Sequence, residues 1–254
     1  MIEAVKVKDV VIGEGVPKIC VPIVASEEQN ILAEAEKAEK SMADMVEWRA
    51  DFWEFCENSQ AMEQLLEKLQ GILKTKPLLF TIRTHAEGGE FAGTLQEYEK
   101  LVCTAAKTAD LVDIEVFMEG LSSEALIAEC QKYSCKVVAS NHEFHKTPKQ
   151  EEIVKRLCRM QEIGADILKI AVMPESKKDV LTLLLATEEM VSEYAVKPVV
   201  TMSMAGLGAI SRVSGEIFGS AVTFGSLEAA SAPGQLQLAD LRNVLEIIHK
   251  SKEK

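Results

Sequence analysis

The sequence predicts an α/β fold, a closed (β/α)8 (TIM) barrel formed as one domain over residues 1–254. Three observations predict it. A repeating unit runs the length of the chain: a short β-branched run, a polar loop, then an Ala/Leu/Glu/Lys stretch at helical spacing. Eight such units fit in 254 residues, about 32 residues each, the length a strand–helix unit needs. The strand candidates are rich in Val and Ile, as parallel strands covered on both faces must be. An open doubly wound sheet competes, but the segment after the first strand, Ala25-Ser26-Glu27-Glu28, has none of the glycines its phosphate-binding turn carries.

The units follow in order. Strand Ile19–Val24 precedes helix Glu27–Lys40, and Asp44–Arg49 precedes Gln60–Lys74. Pro77–Arg83 leads to Leu95–Lys107, Leu111–Val116 to Ser123–Lys132, and Lys136–Asn141 to Lys149–Ile163. Asp166–Val172 leads to Lys177–Tyr194, Pro198–Ser203 to a short helix near Ile210–Phe218, and Ala221–Phe224 to Leu236–His249. Ahead of them the β-rich stretch Val5–Val11 is expected to form a hairpin plugging the barrel's N-terminal end.

Composition narrows the function. Hydrophobic residues at 47% and charged residues at 27% are globular values. Lys+Arg number 28 against 40 Asp+Glu, a net charge of −12, and aromatics are only 5%. An acidic surface poor in stacking rings disfavours nucleic acid and anionic membrane as partners. No apolar run approaches the ~18 residues of a membrane span, and the N-terminus lacks a secretory pattern. The six cysteines (Cys20, Cys56, Cys103, Cys130, Cys135 and Cys158) form no C-x-x-C pair and have no histidine at metal-ligand spacing. The expectation is a reduced, cytoplasmic protein with no metal.

Polar groups gather at the strand ends. Residues two apart on a strand share a face, so Glu47 and Arg49, Thr81 and Arg83, Asp113 and Glu115, and Ser140 and His142 each point one way. Lys169 sits inside Ile167-Leu168-Lys169-Ile170-Ala171-Val172. Five successive strands thus aim ionisable groups at the mouth where barrel enzymes keep their sites. Glu47 with Arg49 also reads as a stabilising ion pair, His142 as a buried core histidine, and Asp113 and Glu115 as structural partners of cations, outside the chemistry. Lys169, desolvated and near Arg49 and Arg83, is expected to favour its neutral, nucleophilic form. In the loop Met202–Arg212, Gly206 and Gly208 permit either a ligand's approach or an ordinary turn, and Arg212 suits a carboxylate or phosphate. The stretch Ala229–Gln235 is either a hinged lid or a loop into the last helix.

Six strings together resemble the type I 3-dehydroquinate dehydratases, Schiff-base enzymes of the shikimate pathway. They are Glu47-Trp48-Arg49-Ala50-Asp51; Thr81-Ile82-Arg83-Thr84 with Glu87-Gly88-Gly89-Glu90; Ser140–Pro148; Asp166–Pro174; Ile210-Ser211-Arg212; and Ala230–Gln235. The resemblance implies that Lys169 forms an imine with 3-dehydroquinate, that His142 moves the proton and that Glu87 orients His142. It implies that Arg212 pairs with the substrate carboxylate and that Glu47, Arg49, Arg83, Ser231 and Gln235 hold hydroxyls and close the lid. It further implies no metal or organic cofactor, and a homodimer. Glu143 in place of Asp, Phe52 in place of His, and Ala205 depart from the family pattern. A class I aldolase is the rival enzyme, needing a phosphate cup near Gly206–Gly208. A non-catalytic barrel is the rival without chemistry.

Overall fold

The structure, a computed structural model, describes residues 2–227 and 234–252. The chain opens with a hairpin: β1 (Val5–Val7) pairs antiparallel with β2 (Val10–Ile12), turning at Lys8 with φ 51°. Parallel strands follow: β3 (Lys18–Ile23), β4 (Met45–Arg49), β5 (Leu78–Thr81), β6 (Leu111–Glu115), β7 (Lys136–Glu143), β8 (Ile167–Val172), β9 (Val199–Ser203) and β10 (Val222–Ser226). A two-residue β11 (Leu236–Gln237) adds to the edge of β10. The ring closes where Val199 bridges Ser220 and the Ala221 amide donates to the Val199 carbonyl at 2.7 Å.

The helices between strands are α1 (Glu28–Lys40), α2 (Ser59–Ile72), α3 (Leu95–Ala105), α4 (Ser123–Gln131), α5 (Gln150–Glu162) and α6 (Lys177–Glu189). Thr94 with Glu97 and Ser176 with Asp179 form capping boxes that satisfy the first amides of α3 and α6. The expected helix Ile210–Phe218 is two, α7 (Ala209–Val213) and α8 (Gly215–Phe218), and α9 (Leu238–Lys252) ends the fold. The break comes at Ser214, and the next residue is Gly215, where a Cβ would lie 2.6 Å from the Ser220 carbonyl oxygen. The third barrel strand ends at Thr81, short of Arg83, because the chain turns back there and Phe91 donates its amide to the Arg83 carbonyl. The fifth runs past Asn141, since His142 and Glu143 still pair with Ala171 and Val172.

Alternation sorts each strand's side chains into two cores. Trp48, Phe80, Ile114, Ala139 and Ile170 face the helices in the larger cluster. Cys20, Met45, Leu79, Leu111, Val138, Ile167, Val200 and Val222 form a smaller apolar cluster inside the barrel, and Val5, Val7 and Ile12 of the hairpin pack against it. The hairpin therefore plugs the bottom as expected. Above this floor polar side chains enter the barrel beside the apolar Ala171, Met202 and Phe224.

Ile12 is fully buried between hairpin and floor, so Ile12→Ala should cost about 2–5 kcal/mol in urea unfolding. An unchanged midpoint would show that the plug contributes nothing.

Candidate active site

The layer above the floor comes from alternate strands, as barrel packing requires: the ionisable Glu47 on β4, Asp113 on β6 and Lys169 on β8, with the apolar Phe224 on β10. Lys169 is only 4% exposed. Its Nζ donates to Asp113 Oδ2 at 2.9 Å, lies 3.7 Å from Glu47 Oε1, and sits 4.9 Å from the Phe224 ring centre. Glu47 also accepts a hydrogen bond from Thr81 Oγ1. Arg49, expected as a possible partner of Glu47, instead pairs with Asp51 through Nε and Nη2, both at 2.8 Å. Arg83, expected near Lys169, shares the Asp113 carboxylate with it, but the groups in direct reach of the amine are carboxylates, because the alternate-strand layer brings β4 and β6 against β8. Asp113, set outside the chemistry on sequence grounds, touches the amine.

Arg83 organises the next layer. Nη2 donates to Asp113 Oδ1 at 2.8 Å, and Nη1 to Glu115 Oε1 and Ser140 Oγ, both at 3.0 Å. Nη1 also lies 3.5 Å from Glu87 Oε2. Burial opposes the guanidinium charge, but Asp113, Glu115 and Glu87 outweigh it and hold Arg83 well above the ordinary arginine value. Burial likewise pushes Asp113 up, yet Arg83, Lys169 and the Ser140 hydrogen bond bring it down to about 2.

Glu87 accepts from the Asn141 side chain at 2.9 Å and from the His142 backbone amide at 2.8 Å, and lies 2.9 Å from His142 Nδ1. Burial raises Glu87, with Arg83 opposing. A proton on Nδ1 satisfies that carboxylate and leaves Nε2 as a free lone pair. Burial first, then Arg83, Lys169 and Arg49, lower His142 well below an ordinary imidazole, so it stands neutral. Phe144 stacks along His142 with ring centres 6.4 Å apart. Gly88 makes room for it, since a Cβ there would fall 2.4 Å from the Phe144 ring, and its φ of 77° also favours glycine. Asn141 is fixed in turn by Arg156 Nη1 at 2.9 Å. Sequence parity had missed both Asn141 and Phe144.

At the rim Arg212 is 3% exposed, and its Nε has no hydrogen-bond partner among the described residues. Burial alone lowers its pKa. A desolvated guanidinium left this way is a receptor for an anion. Glu47, Arg49, Arg83, Glu87, His142, Lys169, Arg212 and Gln235 all line one cavity, together with Met202, Met204 and Phe224. Ser231, the remaining expected site residue, lies outside the described residues. Gly208 donates its amide to Ala205, and a Cβ on it would fall 2.1 Å from the Ser203 carbonyl oxygen, so close packing requires this glycine. Of the departures, Phe52 places its ring 4.8 Å under the Arg49 guanidinium, Glu143 lies 3.6 Å from Arg156, and Ala205 has φ 56°.

Among the described residues no helix is long and apolar enough to cross a membrane. The family model described as type I 3-dehydroquinase matches residues 19–252. The 3-dehydroquinate dehydratase of Clostridioides difficile is 49% identical over 249 residues, 97% of this chain and 98% of that protein. That of Listeria monocytogenes is 51% identical over 248 residues, again 97% and 98%. A crystal structure of the C. difficile type I enzyme with covalently modified comenic acid superposes with a TM-score of 0.96 at 48% identity, covering 99% of this chain and 100% of that one. The chain belongs to the type I 3-dehydroquinase family and is a carbon–oxygen lyase of the 3-dehydroquinate dehydratase type.

Proposed function

We propose that the chain converts 3-dehydroquinate to 3-dehydroshikimate and water through an imine on Lys169. One observation carries the reading: a buried amine, a neutral imidazole oriented by a carboxylate, and a buried guanidinium whose Nε has no partner among the described residues line the same cavity. That the C. difficile neighbour was solved with covalently modified comenic acid supports a covalent mechanism.

In this scheme Arg212 pairs with the substrate carboxylate and sets the ring's orientation. The Lys169 amine forms a bond to the C3 carbonyl carbon, and the carbonyl oxygen leaves as water. Nε2 of His142 then takes a proton from C2, and the C–H electrons pass into the iminium to give an enamine. The enamine expels the C1 hydroxyl, which departs as water with the proton returned by His142. One base serving both steps acts on one face of the ring, so the elimination is syn. Water finally cleaves the conjugated iminium, releasing product and amine. Glu47, Arg49, Arg83 and Gln235 surround the ring positions where hydroxyls lie.

Borohydride added with 3-dehydroquinate should fix an adduct on Lys169, seen by intact mass and peptide mapping, and Lys169→Ala should show none. His142→Ala should still be labelled while losing roughly 10²–10⁴-fold in turnover. Wild type without an adduct would overturn the imine.

The base works only when neutral, and burial with the three surrounding cations lowers its pKa. The acid limb of kcat/KM should therefore lie below the ~6.5 of an ordinary imidazole. Burial raises Glu87 to about 7, so a limb at or above ~6.5 that persists in Glu87→Gln would remove His142 as the base. The homodimer implied by the family resemblance belongs to the same proposal. Sedimentation equilibrium should give twice the chain mass, and a monomer mass would remove it.

A further inference from the structure

The carboxylate against Lys169 has a use that the scheme above leaves unassigned. We propose that Asp113 is a catalytic residue, the fixed counter-ion that keeps the Lys169 imine protonated. The inference rests on the imine reading and deepens it.

Charge conservation makes the case. An ammonium that condenses with a ketone gives up two of its three N–H protons, which leave with the carbonyl oxygen as water. The nitrogen keeps one proton and one positive charge in the iminium. A carboxylate placed for the first cation is therefore already placed for the second, and nothing need reorganise between them. The electron sink is the protonated form: a neutral imine draws C–H electrons poorly.

The geometry suits this role. Asp113 is 1% exposed, with Oδ2 at 2.9 Å from Nζ. Its other oxygen accepts from Arg83 Nη2 at 2.8 Å and Ser140 Oγ at 2.5 Å. Those two donors lock the carboxylate plane and keep it ionised across the working pH range. The remaining groups facing the amine do not replace it. Glu47 on β4 stands farther off at 3.7 Å, the Cys20 thiol on β3 is buried and raised well above its ordinary value, and His142 on β7 is neutral. Phe224 on β10 offers only its ring face.

The test is reductive trapping with cyanoborohydride, which reduces a protonated imine in preference to a neutral one, using 3-dehydroquinate across a pH series. Wild type should be trapped up to an alkaline limb well above that of the imine formed by the same ketone with a simple alkylamine. In Asp113→Asn the limb should fall by about one pH unit or more. kcat should drop by roughly 10²-fold or more with little change in KM, since Asp113 meets the amine and not the substrate carboxylate. Glu115→Gln disturbs Arg83 without touching the amine and should leave the limb in place.

An unmoved limb in a folded Asp113→Asn protein overturns the assignment while leaving the imine intact. Absence of any adduct on wild type overturns the imine reading instead. Should circular dichroism show Asp113→Asn unfolded, the wild-type comparison decides: a limb no higher than the alkylamine imine's overturns the counter-ion.

Discussion

The site depends on one buried guanidinium. Arg83 reaches two ways from the end of β5. One arm holds Asp113 against Lys169, and the other holds Glu115 and Ser140 and approaches Glu87, which orients His142. The group that forms the covalent bond and the group that moves the proton are thus registered from a single cation. Taking so many charges out of water costs free energy, and the cost is offset only where each donor meets an acceptor. The local sequence provides that fit. Gly89 folds back so closely that a Cβ would lie 2.1 Å from the Arg83 carbonyl oxygen, and its amide donates to Thr84 at 2.8 Å. The two glycines after Glu87 are therefore what lets Arg83 and Glu87 point into the same layer.

Much of this was legible in the chain. Strand parity sets Glu47, Arg49 and His142 inward, apolar flanks single out Lys169, and all four line one cavity. Parity says which face a side chain takes but not which strands share a layer. Asp113 was read as a structural partner of a cation, which it is, through Arg83. Its contact with Lys169 spans from β6 to β8, past the intervening β7, and depends on the stagger of the closed sheet. The rule that alternate strands fill one layer links Glu47, Asp113, Lys169 and Phe224, and applied to the sequence it would have found the contact. Asn141 and Phe144 were hidden differently. Asn141 sits at an outward position and turns to Glu87 only because Arg156 of α5 holds its carbonyl oxygen.

The correction at Lys169 changes how its reactivity is understood. Crowding by cations would have favoured a permanently neutral amine. In the structure Lys169 meets Arg83 only through the Asp113 carboxylate they share, with Glu47 3.7 Å away, while His142 is lowered by burial and by Arg83, Lys169 and Arg49. The imidazole is thereby kept ready to accept a proton, while the amine is held against Asp113 at 2.9 Å. Both groups touch a carboxylate, Asp113 for the amine and Glu87 for the imidazole, and what distinguishes them is the burial and the cations that lower His142.

The same short range resolves an apparent conflict between the chain's charge and an anionic substrate. The net charge is −12, which at long range repels a carboxylate. Salt screens that field within about 8–10 Å, so the encounter is governed by what the cavity wall presents. There the one guanidinium without a described carboxylate partner is Arg212, and its burial strips it of water before any ligand arrives. An exposed arginine would gain little from pairing with a carboxylate. A desolvated one recovers a charge-assisted hydrogen bond it otherwise lacks. Its place in the cavity that Lys169 and His142 also line then turns binding into orientation, because a ring anchored by its carboxylate presents its carbonyl to the amine from one direction.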